Sequence, residues 1–147
     1  MPLPTPHPGL VIRYSYLWVR DSVQGAEEGS KDRPCAIVMM QEAAEGVQVV
    51  TVVPITHSPP DDESVAIEMP DVVKDIIGLD AERSWVVVSE VNSFVWPGFD
   101  LRPLPGTTDE FDYGTVPAGF FNTIKQGLLE VAKAKRLARV KRDDDVT

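Results

Sequence analysis

The sequence contains few of the residues from which disulfide frameworks and metal centres are built. It has one cysteine, Cys35, and two histidines, His7 and His57, among its 147 residues. A single thiol excludes a disulfide framework within the chain and a zinc site made of several cysteines. Two histidines give little basis for a metal centre built by the protein alone. We therefore expect no metal ion and no cofactor.

Long apolar runs are also missing. No stretch approaches the roughly 20 apolar residues that a membrane-spanning helix needs. The N-terminus lacks the basic segment followed by an apolar one that is typical of a secretory signal. With 43% hydrophobic and 25% charged residues, the composition is that of an ordinary globular chain. We expect one soluble, cytoplasmic domain without a membrane partner.

The charge is divided unevenly along the chain. The formal net charge is −9, and residues 1–130 carry 8 basic and 20 acidic side chains. Residues 131–147 reverse this balance, with 6 basic and 3 acidic side chains. An acidic domain disfavours broad, non-specific attraction to nucleic acid. A local basic site is still compatible with it, because the field in a cleft depends on where the charges lie.

The pattern along the chain divides it into three parts. Prolines at every second position predict a flexible, extended lead-in over residues 1–8. Residues 9–132 hold five or six short strands and a helix that opens at Pro117, with apolar residues at helical spacing. The cations of residues 133–147 predict a basic helical extension with an acidic tip. We expect a mainly β fold, a small bent sheet or barrel closed by the C-terminal helix, whose exposed edges favour a homodimer.

Two apolar runs in the first half predict a β-hairpin. Cys35–Met40 and Gln48–Ile55 are separated by a short loop that contains glycine. A turn centred near Ala44 would put Pro34 opposite Pro54 and bring Arg33 and Thr56 to the same end of the hairpin. His57 follows at the same edge.

These side chains suit a phosphodiester. The planar fork of an arginine donates two parallel, charge-assisted hydrogen bonds to a phosphate, and a threonine hydroxyl donates a further one. A histidine suits proton transfer near neutral pH. RNA carries its own nucleophile, the 2′-hydroxyl, so a protein need only position it, move protons and stabilise charge. Arg33, Thr56 and His57 are therefore the candidate catalytic residues.

The same residues also allow purely structural interpretations. Arg33 could form a salt bridge with Asp32 or Glu28. Thr56 could simply close a turn, and His57 could be a solvated loop side chain. The spacing alone leaves both sets of interpretations open.

Four segments, in this order, resemble the MazF/PemK family of toxin endoribonucleases from bacterial toxin–antitoxin systems. They are Gly9-Leu-Val-Ile12, Gly29-Ser-Lys-Asp-Arg-Pro-Cys-Ala-Ile-Val38, Val49-Val-Thr-Val-Val-Pro-Ile-Thr56 and Ser89-Glu-Val-Asn-Ser-Phe-Val-Trp96. The resemblance implies an SH3-like β-barrel with a C-terminal helix, assembled as a homodimer. It implies metal-independent cleavage of single-stranded RNA that leaves a 2′,3′-cyclic phosphate and a 5′-hydroxyl, under the control of a cognate antitoxin.

The resemblance also assigns roles. Arg33 would stabilise the charge on the phosphorane, and Thr56 would hold the scissile phosphate. The family's substrate-covering loop corresponds to residues 21–31, so we expect Ser30 and Lys31 to bind substrate, together with Ser58 beside the catalytic pair.

The chain departs from the family at one point. Some members carry an additional arginine and aspartate in the segment that is residues 92–96 here, where neither residue occurs. The proton acceptor is then unassigned, and His57 is the nearest candidate. Two other functions stay open: a toxin like CcdB, which acts by binding DNA gyrase without catalysis, and a degenerate barrel with a regulatory or structural role.

Overall fold

A computed structural model describes residues 3–25 and 31–142 of the chain. The strands are β1 (Leu10–Ser15), β2 (Asp32–Glu42), β3 (Gln48–Thr56), β4 (Ala66–Glu68), β5 (Trp85–Val87), β6 (Glu90–Val95), β7 (Leu101–Arg102), β8 (Asp112–Thr115) and β9 (Ala138–Lys141). The helices are α1 (Val19–Val23), α2 (Asp71–Ile76) and α3 (Ala118–Lys133).

The strands form one open sheet in which the pairing is mostly antiparallel. Its central path runs β4-β5-β3-β2-β1-β7. Strand β6 also pairs with β3, β8 pairs with β1, and β9 lies parallel to β6. The predictions of a mainly β fold and of a C-terminal helix are confirmed. The described strands do not close into a barrel.

The central β2–β3 hairpin separates two apolar clusters, because successive side chains of a strand point to opposite faces. On one face, Cys35 and Val52 pack with Tyr14, whose ring stacks on Phe94 at a centroid distance of 4.6 Å. On the other face, Val53 and neighbouring apolar residues pack against α2 and α3. From α3 this second cluster receives Phe120, Ile124, Leu128 and Val131, the four residues whose spacing predicted the helix.

The hairpin is present, but its predicted register is wrong. Cys35 lies opposite Pro54, where a turn centred on Ala44 would have placed Pro34. A 3₁₀ turn at residues 44–46 and a bulge between Ile37 and Met39 shift the pairing. Extending the observed pairing by two residues sets Arg33 directly across from Thr56. The two candidate side chains therefore share one face of the hairpin.

The predicted helical extension is wrong for residues 138–141, which form β9. Helix α3 ends before Lys135, whose φ of 58° is left-handed, and the N–H of Arg136 donates back to Val131. Within β9 the side chain of Val140 is buried between exposed neighbours. This short alternation is a strand pattern, but the cations around it are typical of a solvated helix end.

Residues 3–8 precede β1, and the predicted loop over residues 21–31 follows it. Residues 3–8 have no regular secondary structure, yet Pro6 is buried and the His7 Nε2 atom lies 2.9 Å from Thr115 Oγ1. The predicted loop over residues 21–31 overlaps α1 at its start, and residues 26–30 lie outside the described part. None of the helices in that part has the length and apolar character required to span a bilayer.

Candidate functional site

A cleft of about 690 Å³ lies where β2 begins and β3 ends. Four of the six predicted site residues line it: Lys31, Arg33, Thr56 and His57. The loops after α2 and before β8 form its other walls. Ser58, predicted to bind substrate, does not line this cleft, and Ser30 lies outside the described residues.

Arg33 is a buried cation in this wall. Only 8% of the residue is exposed, and its guanidinium lies 5.1 Å from the centre of the Trp18 ring. Within residues 3–25 and 31–142, Nε has no hydrogen-bond partner and none of the ion pairs involves Arg33. Burial lowers the pKa of Arg33, but an arginine keeps its charge in proteins. A buried, unpaired cation is costly and is stabilised by an anionic ligand.

Asp32 pairs with other arginines and not with Arg33, so the interpretation of Arg33 as its salt-bridge partner is wrong. Its carboxylate lies 3.9 Å from the Nε of Arg13 and 3.6 Å from the Nε of Arg102. The carboxylate that precedes Arg33 on β2 is therefore shared by Arg13 and Arg102. The other proposed partner, Glu28, falls outside the described residues.

Thr56 both closes a turn and retains a donor. The backbone N–H of Ser58 donates to Thr56 Oγ1 at 3.1 Å, so the turn interpretation is correct. A hydroxyl that accepts this bond still has its own proton to donate. The turn fixes the oxygen in place, and the O–H remains able to donate to a ligand in the cleft.

His57 lies between two carboxylates at the mouth of the cleft. Its Nε2 atom is 3.1 Å from Asp80 Oδ1, and its Nδ1 atom is 3.7 Å from Glu82 Oε2. One potential ligand atom from each of these residues falls within 4.8 Å of the others, and all three residues are exposed. The two carboxylates lie near different ring nitrogens, and of the two contacts the one from Nε2 to Asp80 is within hydrogen-bond distance.

Sequence reasoning missed Glu90, which supports the wall behind Arg33. Its carboxylate accepts the backbone N–H of Val19 at 2.9 Å and the Tyr16 hydroxyl at 3.1 Å. Burial raises the pKa of Glu90. These contacts anchor the start of α1 beside Trp18, and no spacing rule connects residue 90 to residues 16 and 19.

Asn92, the first residue of the segment in which the resemblance leaves the proton acceptor unassigned, has a structural role. Its side-chain oxygen accepts the N–H of Leu17, and its amide group donates to the Leu17 carbonyl, both within 2.9 Å. The same oxygen accepts from Arg142 Nη1 at 3.1 Å. The residue is fully buried, so this polar group joins β6 to the chain after β1.

The charges of the cleft are mixed. The basic residues lining it are Arg13, Lys31 and Arg33, and the acidic residues are Asp32, Asp80, Glu110 and Asp112. Arg13 is engaged by Asp32, as described above. The positive charge that a ligand can reach is therefore concentrated at Lys31, which directly precedes β2, and at Arg33, the second residue of β2.

Neither the models of known protein families nor the curated protein sequences include a match to this chain. The resemblance to MazF/PemK toxins therefore rests on the four segments quoted above, and the functional argument below starts from the geometry of the cleft.

Proposed function

We propose that this protein is a toxin-like endoribonuclease that cleaves single-stranded RNA without a metal ion. The 2′-hydroxyl attacks the adjacent phosphate and leaves a 2′,3′-cyclic phosphate and a 5′-hydroxyl. The active form is a cytoplasmic homodimer of the MazF type, in which the open sheet described above takes the place of a closed SH3-like barrel, and it is inhibited by a cognate antitoxin. One observation carries the proposal: Arg33, which is buried and has no ion-pair partner among the described residues, shares a cleft with the Thr56 hydroxyl.

The proposed roles follow from the chemistry of the two groups. A phosphodiester carries one negative charge, and charge accumulates on its non-bridging oxygens as the 2′-oxygen attacks. A guanidinium in a water-poor wall stabilises that charge more strongly than one in bulk water. The Thr56 hydroxyl donates to the second oxygen and fixes the phosphate relative to Arg33.

The direct test is incubation of purified protein with single-stranded RNA in EDTA. We expect cleavage by the wild type, and Arg33→Ala to lower the rate by about 10²–10³, the usual cost of removing one donor that stabilises transition-state charge. Arg33→Lys should restore little activity, because an ammonium lacks the planar fork.

Arg83→Ala is the matched control. Arg83 also lies over a tryptophan, 4.9 Å from the Trp85 ring, and it pairs with Glu68 outside the cleft. Its loss should leave the rate unchanged. Absence of cleavage by the wild type, or equal rates for wild type and Arg33→Ala, would remove the basis of the enzyme assignment.

The same preparation distinguishes the two other functions. A CcdB-like protein would inhibit DNA gyrase, leave RNA intact and be insensitive to Arg33→Ala. A degenerate barrel would do neither and would not arrest growth when expressed. Growth arrest that is relieved by Thr56→Ala supports the ribonuclease.

A further inference from the structure

We propose that Asp80 is a positioning residue that holds the His57 imidazole in one tautomer, with Nδ1 free to accept a proton from RNA. This inference rests on the proposed ribonuclease function and assigns the proton acceptor that the motifs leave open.

The tautomer follows from the partner of Nε2. An ionised carboxylate can only accept hydrogen bonds, so the 3.1 Å contact between Nε2 and Asp80 Oδ1 requires the proton on Nε2. A neutral ring then has its lone pair on Nδ1. Glu82 Oε2 lies 3.7 Å from Nδ1, which is beyond hydrogen-bond distance.

Asp80 is itself held in place by its own loop. The backbone N–H of Glu82 donates to Asp80 Oδ1 at 3.1 Å, so the oxygen that accepts from His57 is fixed by the chain. Asp80 and His57 both line the cleft, whereas Glu82 does not. His57 also directly follows Thr56, so the ring lies one residue from the proposed phosphate-binding hydroxyl.

The cleavage reaction needs no reactant other than RNA and water. The bond between the 2′-oxygen and phosphorus forms, and the bond between phosphorus and the 5′-oxygen breaks. The 2′-hydroxyl proton passes to Nδ1 of His57, and the departing 5′-oxygen takes a proton from water. The hydroxide that remains is neutralised by the proton on His57, which returns the ring to its starting tautomer.

The first measurement does not involve RNA. Nitrogen-15 NMR of the two histidines distinguishes the tautomers, and His7→Gln identifies the signals of His57. We expect the Nε2–H tautomer in the wild type and a mixture in Asp80→Ala. An Nδ1–H tautomer in the wild type, or an unchanged spectrum in Asp80→Ala, would overturn the proposal whether or not the protein cleaves RNA.

The second measurement compares cleavage rates in a double-mutant cycle. His57→Ala should lower kcat by about 10²-fold, the lower range for general acid–base catalysis. Asp80→Ala should lower kcat by about 10-fold or more in the wild type but have no further effect in His57→Ala, because it acts through the ring. Asp80→Asn keeps an acceptor and should restore part of the rate.

Glu82→Gln is the matched control, since it removes a carboxylate near the same ring without removing a hydrogen bond. We expect its kcat to stay close to that of the wild type. Equal, additive losses from Asp80→Ala in both backgrounds would show a merely structural residue. Lack of cleavage by the wild type, with the expected NMR spectrum, would instead refute the ribonuclease and leave the tautomer assignment standing.

Discussion

At the scale of single residues, the site combines a buried cation that lacks a described anionic partner with a hydroxyl that accepts one hydrogen bond and can still donate another. Arg33 is buried without a described anionic partner, and Thr56 has an acceptor bond but keeps its donor. The two line one cleft, and the register set by the 3₁₀ turn and the bulge, extended by two residues, places them opposite each other. A ligand that satisfies both must offer negative charge and an acceptor oxygen, which a phosphodiester does.

The Thr56 hydroxyl, which both closes the turn and is the proposed donor, can be tested with one variant that lacks it and one that keeps it. Thr56→Val removes the hydroxyl with little change in volume, whereas Thr56→Ser keeps it. We expect Thr56→Val to lower the cleavage rate by about 10-fold or more, since it removes one hydrogen bond to a charged phosphate, and Thr56→Ser to retain most activity. Comparable rates for the two variants in a gel-based assay would contradict the donor role.

The sequence is informative about single residues only where the chemistry is local. Arg33, Thr56 and His57 are recognisable because their side-chain types suit a phosphate and lie at one end of a predictable hairpin. Asp80 and Glu90 escape such reasoning, since their partners lie 23 and 71 to 74 positions away. Contacts of that kind depend on how strands pair, which periodicity does not specify.

At the scale of elements, β9 secures the edge of the sheet through a buried ion pair. Arg142 follows this strand directly, and its Nη2 atom lies 2.9 Å from Asp100 Oδ2, while Nη1 donates to the Ser15 carbonyl at 2.8 Å. The side chain of Arg142 is only 4% exposed. The C-terminal cations are therefore not all a solvated extension, because one of them lies in the interior.

We expect Arg142→Ala to lower the free energy of unfolding by about 3–5 kcal/mol, the usual cost of removing one partner of a buried ion pair. Arg139→Ala, at an exposed position of the same strand, should change it by less than about 0.5 kcal/mol. Urea denaturation checks both values. A similar, small effect for the two variants would show that the pair with Asp100 does not hold β9.

The junction between β6 and α1 predicts a pH effect on stability. Burial raises the pKa of Glu90 above its ordinary value of 4.5, so the folded protein binds this proton more strongly than the unfolded chain. The stabilisation that results from this stronger proton binding is fully present below the ordinary pKa of Glu90. It is lost as the pH rises through the raised pKa of the folded state. Glu90→Gln keeps an acceptor for the Val19 N–H but does not titrate.

Glu90→Gln should therefore gain thermal stability relative to the wild type as the pH is raised from about 4 to about 8. Thermal unfolding followed by circular dichroism at several pH values measures this difference. A constant difference, or one that shrinks with rising pH, would mean that the proton on Glu90 is not held by burial.

The sequence predicts elements best when they are long and periodic. The period of α3 and the two apolar runs of the hairpin are each enough to place those elements. Strand β9 has four residues and pairs in parallel with a strand far away in sequence, so its local signal is weak. The register of β2 and β3 depends on a bulge between Ile37 and Met39, which no residue type announces.

At the scale of the whole molecule, a net charge of −9 limits how the protein can attract RNA. Among the described residues that line the cleft, Lys31 and Arg33 are the two basic side chains that form no ion pair. Neutralising two phosphates of a single strand gives a slope of about −1.4 for the logarithm of affinity against the logarithm of salt concentration.

Fluorescence anisotropy with a labelled, 2′-O-methylated RNA measures this slope without cleavage. We expect a slope of about −1.4 for the wild type and a smaller magnitude for Lys31→Ala. A slope several times steeper would show that RNA follows a broad basic surface, and the cleft would not be the main binding site.

The central claim is that Arg33 and Thr56 hold one phosphodiester while its own 2′-hydroxyl attacks. The most direct measurement compares an RNA of mixed sequence with its fully 2′-O-methylated copy in EDTA, with mass spectrometry of the ends. The account predicts 2′,3′-cyclic phosphate ends from the first RNA only, and inhibition by the methylated copy that Arg33→Ala weakens. Cleavage of the methylated RNA, or cleavage that Arg33→Ala leaves undiminished, would contradict it.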